Sequence, residues 1–293
     1  MQRNYMAYLS NPTETRAVLE MFGFSFAKKY GQNFLIDGNT VNNIVKSAGI
    51  TKEDTVLEIG PGIGTMTQVL CEHAKNVIAV EIDKRLIDVL TFTLKDYDNV
   101  TVINSDILKC NIEELCEKYS HDGKLKVVAN LPYYITTPII MELLEKNNNS
   151  VIESITVMIQ KEVAERLGAE PGNKDYGAIT LSINYYSDAN IVMNVPSSCF
   201  MPKPNVDSAV IRMDIYDKPP VKTKDETKMF KIIKAAFSQR RKTLVNSVSG
   251  STDIAKETIL KSLNEMGLSE SVRGEALSLE QFAKLSDKII ENG

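Results

Sequence analysis

Residues 55–67 form the stretch TVLEIGPGIGTMT, which decides the fold. Its first five residues are apolar or β-branched apart from one glutamate, a composition typical of a buried strand. Gly60, Gly62 and Gly64 follow, and glycine permits positive φ and a close approach of the main chain to a ligand. An amphipathic helix is predicted directly afterwards, over 65–74. Strand, glycine-rich turn and helix in this order predict a βα unit of a parallel sheet.

The same alternation of apolar runs and amphipathic stretches extends along the chain beyond this unit. Strands are predicted at 55–59, 76–82, 100–106, 126–130, 154–160, 190–195 and 208–216. Helices are predicted at 65–74, 84–95, about 176–186, 226–249, about 253–266 and about 279–291. The charged, proline-containing segment after Tyr216 marks a domain edge. The sequence therefore predicts a doubly wound α/β domain over 1–217 and an all-helical domain over 218–293.

The composition is that of an ordinary globular protein, with 34 Lys/Arg against 38 Asp/Glu and a net charge of −4. Basic residues are concentrated between Phe200 and Asn246, where 11 Lys/Arg stand against 5 Asp/Glu. This segregation favours one basic face for nucleic acid, with a solvated charged surface as the plainer interpretation. No apolar run approaches the roughly 18 residues of a membrane span, and the N-terminus lacks the apolar core of a secretion signal. We therefore expect no membrane association.

The numbers and positions of the cysteines and histidines limit which kinds of site the chain can form. The four cysteines, Cys71, Cys110, Cys116 and Cys199, form no CxxC pair, and the one histidine close to Cys71, His73, does not by itself make a metal-binding motif. We expect neither disulfide pairing nor a metal site, and a reducing cytoplasm fits this pattern best. His73 and His121 lie outside the motifs, so catalysis has to proceed without a histidine base.

Four successive predicted strands end in residues able to bind a ligand. The first strand ends in the glycine turn, and the next three end in Glu81, Asp106 and Asn130. Ligands of open parallel sheets bind beyond these carboxyl ends, near the point where the strand order reverses. Glu81, about twenty residues past the turn, is placed to accept both hydrogen bonds of a ribose diol. Asp106 suits an exocyclic amine.

These features indicate a nucleoside-bearing ligand without a pyrophosphate, such as S-adenosylmethionine. The glycine spacing is GxGxG, with Thr65 where the dinucleotide-binding motif GxGxxG has its third glycine. A nicotinamide or flavin site is therefore disfavoured. Taken singly, the glycine turn could be a plain tight turn. Glu81 or Asp106 could likewise be a helix-capping or surface carboxylate.

Seven long motifs occur in one order along the chain. They are KKYGQNFLID (28–37), LEIGPGIGTMT (57–67), EIDKRL (81–86), NLPYYITTPI (130–139), MIQKEVAERL (158–167), FMPKPNVDSAV (200–210) and AFSQRRKTLVNS (236–247). Together they resemble the ribosomal RNA adenine N6-dimethyltransferases, most closely the bacterial small-subunit (16S) branch, from Lys28 to about Asn246. The resemblance implies a Rossmann-like, S-adenosylmethionine-dependent methyltransferase domain over 1–217 and a small helical RNA-binding domain over 218–293. It also implies that a monomer dimethylates adenines in a small-subunit rRNA loop, on the immature ribosomal subunit.

The resemblance implies that the cofactor is bound by Asn33, Leu35, Gly60, Glu81, Asp106 and Asn130. The first two would belong to an N-terminal lid, and Gly60 would lie against the amino-acid part of the cofactor. Glu81 would bind the ribose and Asp106 the adenine amine, while Asn130 would sit between cofactor and substrate. The sequence matches the family pattern at all of these positions.

The stretch Asn130-Leu131-Pro132-Tyr133 is expected to activate the target amine. An adenine amine is a poor nucleophile because its lone pair is delocalised into the ring. The Asn130 side-chain oxygen and the Leu131 carbonyl can each accept one of its N–H bonds, which favours a pyramidal nitrogen with a free lone pair. Pro132 fixes φ and removes a donor, which stiffens the position of that carbonyl. Catalysis is then mainly positioning and electrostatic preorganisation.

Aromatic residues are expected to hold the target base. Tyr133 would stack on one face and Phe200 would close the other, so the base must be unpaired or flipped out. Ordinary core packing is the plainer interpretation for both rings. For Tyr134 we favour core packing.

RNA binding is predicted at four residues of the basic segment 200–246. They are Lys203, Arg240, Arg241 and Lys242. The last three are predicted to lie on the helix over 226–249, where a solvated helix face is the alternative. Other candidate functions are a large-subunit rRNA methyltransferase of the macrolide-resistance type and a ribosome-assembly factor whose binding outweighs its chemistry. DNA adenine methyltransferases share an Asn-Pro-Pro-Tyr form of the site and are disfavoured by Leu131.

Overall fold

The structure, a computed structural model, describes residues 9–24, 31–146, 151–239 and 241–293. Its strands are β1 Phe34–Leu35, β2 Thr55–Ile59, β3 Asn76–Glu81, β4 Val100–Asn104, β5 Leu125–Asn130, β6 Ile152–Gln160, β7 Ser187–Val195, β8 Phe200–Met201 and β9 Ser208–Ile215. Its α-helices are α1 Pro12–Met21, α2 Gly38–Ser47, α3 Thr65–His73, α4 Ile87–Thr93, α5 Ile112–Tyr119, α6 Thr136–Glu145, α7 Lys161–Leu167, α8 Ala178–Tyr186, α9 Glu226–Ala236, α10 Leu244–Ser251, α11 Lys256–Glu265 and α12 Leu279–Asn292. Short 3₁₀ turns lie at Lys84–Leu86, Ile107–Lys109, Ser197–Cys199 and Gly274–Ala276.

Within the described residues, the main sheet has seven strands in the order β4-β3-β2-β5-β6-β9-β7. β2 pairs in parallel with both β3 and β5, and β4 and β6 continue the parallel sheet on either side. β9 pairs antiparallel with β6. The chain runs outward from β2 through β3 to β4, then returns to place β5 on the other side of β2. The strand order therefore reverses between β2 and β5, where this class of sheet binds its ligands.

The central strands are buried along most of their length because helices cover both faces of the sheet. This explains why β2 and β3 have continuous apolar runs instead of alternating ones. α2 and α3 pack on the sheet through a buried cluster that includes Val41, Ile44, Val56, Met66, Leu70, Val77 and Val128. The predicted doubly wound sheet is confirmed.

The N-terminal segment packs beside the glycine turn. α1 begins at Pro12, where Asn11 Oδ1 accepts a hydrogen bond from the main-chain nitrogen of Glu14 (2.9 Å). A second buried cluster joins this segment to the turn and to α4: Leu9, Val18, Leu19, Phe34, Ile63, Leu86 and Val89. Apolar burial therefore anchors the segment next to the strand ends.

The chain divides into two compact units. The first comprises Met1–Ala164 and Asn190–Ile215, and the second comprises Glu165–Ala189 and Tyr216–Gly293. Residues 165–189, predicted to belong to the α/β domain, group with the helices instead. Tyr176 and Tyr185 of this segment are buried in the helical core, and the Tyr176 hydroxyl donates to the Leu277 carbonyl (3.0 Å). Packing on later helices, not position in the sequence, decides to which unit the segment belongs.

The predicted helix over 226–249 is two helices, α9 and α10, separated by residues 237–243. Thr243 caps α10 with its side chain, and the main-chain nitrogen of Leu244 donates to the Val272 carbonyl (2.8 Å). Both helices bury apolar side chains in one cluster, so the apolar periodicity continues across the break. Arg241 and Lys242, which were predicted to lie on a helix, are therefore in the segment that connects α9 to α10.

Candidate active site

A cleft opens at the carboxyl ends of β2, β3 and β5, within the first unit. Its walls come from residues 31–35, 60–62, 81–82 and 130–134, with Glu58 below the glycine turn. About 800 Å³ of this region is free of protein atoms, part of it open to solvent. Parallel pairing of the three strands brings the predicted strand-end residues together, except Asp106.

The glycine turn presents its main chain to the cleft. Gly60 has φ +69°, and a Cβ there would meet no heavy atom within 4 Å. Gly62 has φ +63°, but a Cβ there would lie 2.9 Å from a ring carbon of Phe34. Gly60 is therefore open toward a ligand, whereas Gly62 makes room for the N-terminal wall.

Replacing Gly62 by alanine is expected to destabilise the protein more than an ordinary left-handed glycine would. The added Cβ strains φ and pushes the Phe34 ring out of its cluster, and overpacking of this kind costs about 1–3 kcal/mol. Gly123, with φ +72° and open space around it, is the matched control, since Gly123→Ala adds only backbone strain. Urea unfolding of both variants checks this, and equal losses of unfolding free energy would contradict it.

Glu81 lines the cleft at the end of β3 and is 4% exposed. Its Oε2 accepts a hydrogen bond from Gly62 N (3.1 Å), and its Oε1 accepts one from Asp83 N (2.8 Å). Burial raises the pKa of Glu81 to about 7. Each carboxylate oxygen can accept two hydrogen bonds, so both oxygens keep capacity for a ligand.

Glu58 also lines the cleft, although it was not predicted from the sequence as a site residue. It lies in the buried strand β2, and its Oε2 has no hydrogen-bond partner among the described residues. Burial, reinforced by the Glu81 carboxylate, raises the pKa of Glu58 to about 8. A cationic ligand would favour the ionised form of both buried carboxyl groups. The signal in the sequence was a glutamate inside a strand that is otherwise apolar or β-branched.

Asn130 and Leu131 line the other wall of the cleft. Asn130 Nδ2 donates to the main-chain oxygen of Asn33 (3.0 Å), and its Oδ1 accepts no hydrogen bond from the described residues. Within the same residues the Leu131 carbonyl is also without a donor, whereas the Pro132 carbonyl accepts from Thr136 Oγ1 (3.1 Å). Two adjacent residues of this wall therefore each have an oxygen atom that accepts no hydrogen bond from the described residues.

Tyr133 is half-buried, and its Oη lies 2.9 Å from Ser208 Oγ at hydrogen-bond distance. Burial raises the pKa of Tyr133, so the hydroxyl is neutral at physiological pH. The hydrogen bond fixes the ring at the cleft wall.

Two aromatic predictions require correction. Phe200 is 3% exposed and packs in the core cluster with Leu35 and Val210, and it does not line the cleft. β8, to which Phe200 belongs, pairs with β1, and this pairing covers the ring. Tyr134, predicted to be core, is 59% exposed and lines the cleft beside Gly31.

Asp106 also lies outside the cleft lining. Its Oδ1 accepts a hydrogen bond from Leu108 N (3.1 Å) and caps the 3₁₀ turn that follows β4. The helix-capping alternative thus describes its contact here. Asn33 and Leu35, in contrast, lie in the N-terminal wall.

The predicted RNA-binding residues are distributed over both units. Lys203 is exposed in the first unit, and Arg241 and Lys242 are exposed in the second, in the segment between α9 and α10. Arg240 lies outside the described residues. Across the described ranges, no helix is long and apolar enough to cross a membrane, and no group of three or more His, Cys, Asp or Glu could hold a metal ion.

Solved structures show the same fold. A dimethyladenosine transferase from Plasmodium falciparum superposes with a TM-score of 0.71 and 26% identity, covering 86% of this chain and 95% of that one. The 23S rRNA methyltransferase ErmE has a TM-score of 0.66 and 24% identity, covering 88% of this chain and 100% of that one. Fold and cleft thus define a Rossmann-like methyltransferase with a helical second unit, which confirms the predicted fold class.

Sequence comparison gives the family. The family model described as ribosomal RNA adenine dimethylase matches residues 23–291. A ribosomal RNA small subunit methyltransferase A from Lachnoclostridium phytofermentans is 56% identical over 289 residues, 98% of this chain and 99% of the relative. Its counterpart from Macrococcus caseolyticus is 48% identical over 285 residues, 96% of each chain. The chain belongs to the ribosomal RNA adenine dimethylase family, and the predicted family and enzyme class are confirmed.

Proposed function

We propose that the protein dimethylates the N6 amines of adenines in a loop of small-subunit (16S) rRNA, using S-adenosylmethionine, during ribosome biogenesis. One observation carries this proposal: the open oxygens of Asn130 and Leu131 lie side by side at a cleft of nucleoside type. Relatives with 48–56% identity over almost their whole length are named small subunit methyltransferases, which favours this substrate over large-subunit rRNA.

The residues of the cleft fit the proposed cofactor. The unpartnered, buried Glu58 Oε2 suits the ammonium group of an amino acid, and the open main chain at Gly60 suits its carboxylate side. Glu81 is placed for the ribose hydroxyls. Ile82, which is 45% exposed and lines the cleft, offers an apolar surface for a purine. Asp106 lies outside the cleft lining, and its predicted contact with the adenine amine stays a prediction.

When bound, the cofactor supplies an electrophilic methyl group on a positively charged sulfur. The chain itself acts on the target amine: Asn130 Oδ1 and the Leu131 carbonyl accept its two N–H bonds and direct its lone pair into the cleft. The methylated nitrogen is cationic and acidic, so its proton leaves to water without a histidine base. Preorganised acceptors of this kind are in place before the reaction and need no rearrangement.

The base itself is held by stacking. Tyr133 supplies one ring, at about 1–3 kcal/mol per base–aromatic contact. Since Phe200 is covered, the exposed ring of Tyr134 takes its place as the second aromatic contact in our proposal. Stacking on these rings requires an unpaired or flipped adenine, which fits a loop in rRNA.

Reversing the charges of Arg241 and Lys242 with glutamate is expected to weaken binding to small-subunit particles by on the order of 10- to 100-fold at moderate salt. Both side chains are exposed, and the variant neutralises fewer RNA phosphates, so the salt dependence of its affinity should also be weaker. Cofactor affinity should remain unchanged. Filter binding across a salt series measures the effect.

The matched control is Lys261→Glu with Lys284→Glu, the same charge change at exposed positions of α11 and α12. If both double variants lose affinity equally, net charge and not the segment between α9 and α10 is responsible.

The proposed function is tested by incubating the protein with methyl-labelled cofactor and undermethylated small subunits, then mapping the modified nucleosides. Dimethyladenine in small-subunit rRNA is expected. Labelling of protein-free large-subunit rRNA in preference would support the macrolide-resistance type of activity, and binding without labelling would support the assembly-factor role.

A further inference from the structure

The wall formed by residues 31–35 also holds the side chain of Asn130. Asn130 Nδ2 donates to the Asn33 carbonyl at 3.0 Å, across 97 positions of sequence. A carbonyl oxygen can only accept, so the amide nitrogen has to face Asn33 and the amide oxygen has to face away. This one contact selects the orientation in which Oδ1 is available as an acceptor.

Asn33 is itself held in place by its neighbours. Its Nδ2 donates to the Gly31 carbonyl (3.1 Å), and the following residues form β1, which pairs with β8. On the other side, Gln32 Nε2 donates to Asp83 Oδ2 (2.9 Å). Gln32 therefore ties this wall to the turn that follows β3.

Asp83 is a strong acceptor for Gln32. Its carboxylate also accepts hydrogen bonds from Arg85 Nε (2.9 Å) and from the Arg85 guanidinium Nη2 (2.6 Å), and its main-chain nitrogen donates to Glu81. Burial acts to raise the pKa of Asp83, but the hydrogen bonds from Arg85 and Gln32 outweigh it and lower the pKa. The carboxylate is thus ionised at neutral pH, and hydrogen bonds to charged acceptors are the stronger ones.

We propose that Gln32 is a positioning residue for methyl transfer: by holding the wall against Asp83, it keeps the Asn33 carbonyl where it orients the Asn130 amide. This inference rests on the proposed function, in which Asn130 Oδ1 accepts from the target amine. Phe34 and β1 hold the same wall to the core without help from Gln32. Loss of the Gln32 hydrogen bond therefore lets the wall shift but does not unfold it. Small displacements of a reacting group cost up to about 100-fold in rate.

The test replaces Gln32 by methionine, which keeps the length of the side chain and removes the donor. We expect the single-turnover rate of methyl transfer to fall by about 10- to 100-fold, while cofactor Kd, RNA KM and melting temperature stay close to wild type. In the cofactor-free protein, the side-chain amide resonances of Asn130, assigned by their absence from Asn130→Ala, should shift. Asn42→Ala, which removes an exposed amide donor to the Gly38 carbonyl, is the matched control and should change none of these values.

A charge change at the same contact tests the positioning role further. Gln32→Glu sets a second carboxylate against Asp83 and should be slower than Gln32→Met.

Wild-type rates in Gln32→Met, or a rate loss that is matched by a loss of melting temperature or of cofactor affinity, would each overturn the positioning role. Failure of the wild-type protein to methylate small-subunit RNA would instead refute the proposed function.

Discussion

Replacing Asn130 by alanine is expected to slow methyl transfer by a factor on the order of 10² to 10³, as removal of one preorganised hydrogen-bonding group does elsewhere. The variant loses the oxygen that accepts one N–H bond of the target amine, so its nitrogen lone pair stays delocalised into the ring. Single-turnover labelling of small-subunit RNA at saturating cofactor measures the rate. Calorimetry should show a much smaller loss of cofactor affinity than of rate, because Glu58, Gly60 and Glu81 are untouched.

Asn130→Asp is the informative companion to this variant. It keeps an oxygen acceptor but loses the donor to the Asn33 carbonyl and sets a carboxylate against it. We expect a rate between those of alanine and wild type. Wild-type methyl transfer by Asn130→Ala would refute the assigned role of the amide.

Replacing Glu58 by glutamine is expected to stabilise the protein at pH 8 and to weaken cofactor binding. The pKa of Glu58 is raised from 4.5 in the unfolded chain to about 8 in the folded protein. The folded state therefore binds the proton more tightly, and the unfolding free energy falls as pH rises through this window. Below about pH 4.5 the Glu58 carboxyl group is protonated in both states, and its burial lowers the unfolding free energy by nothing through ionisation. Above about pH 8 it is ionised in both states, and the full loss of unfolding free energy remains. The variant should be more stable than wild type at pH 8 by roughly 2–4 kcal/mol, and close to wild type at pH 5.

The cost of this gain is the loss of a charged partner for the cofactor's ammonium group, which we expect to lower cofactor affinity by about 10- to 100-fold. Urea unfolding at pH 5 and pH 8, with calorimetry at pH 8, measures both effects. Glu53→Gln removes an exposed carboxylate from the same unit and should leave both quantities unchanged. A stability difference that is independent of pH would contradict the assignment, since glutamine then acts only through packing.

Much of the candidate site could be predicted because its residues stand at the ends of apolar runs. Gly60, Glu81 and Asn130 follow such runs, and parallel pairing of β2, β3 and β5 brings them to one cleft. Glu58 was missed because it lies inside a strand, where a polar side chain reads as an interruption. Asp106 was predicted to end a strand, but β4 ends at Asn104, and the Asp106 carboxylate caps the following turn by accepting a hydrogen bond from Leu108 N.

Aromatic residues were the least predictable. Phe200 and Tyr134 are both aromatic, and sequence periodicity carries no signal for which ring is covered in so short a segment. Pairing of β8 with β1 buries Phe200, while Tyr134 remains exposed beside Gly31. The break between α9 and α10 was hidden for a related reason, because one cluster buries both helices and preserves the apolar spacing.

Local sequence patterns were enough to predict the class of fold and most of the residues at the strand ends. These follow from hydrophobic period and glycine spacing, which are properties of neighbouring residues. Only the tertiary structure decided which rings face the cleft, which unit residues 165–189 join and which way the Asn130 amide points. Those outcomes depend on contacts between segments far apart in the chain, and no local pattern encodes the energy of a contact whose partner lies 97 residues away.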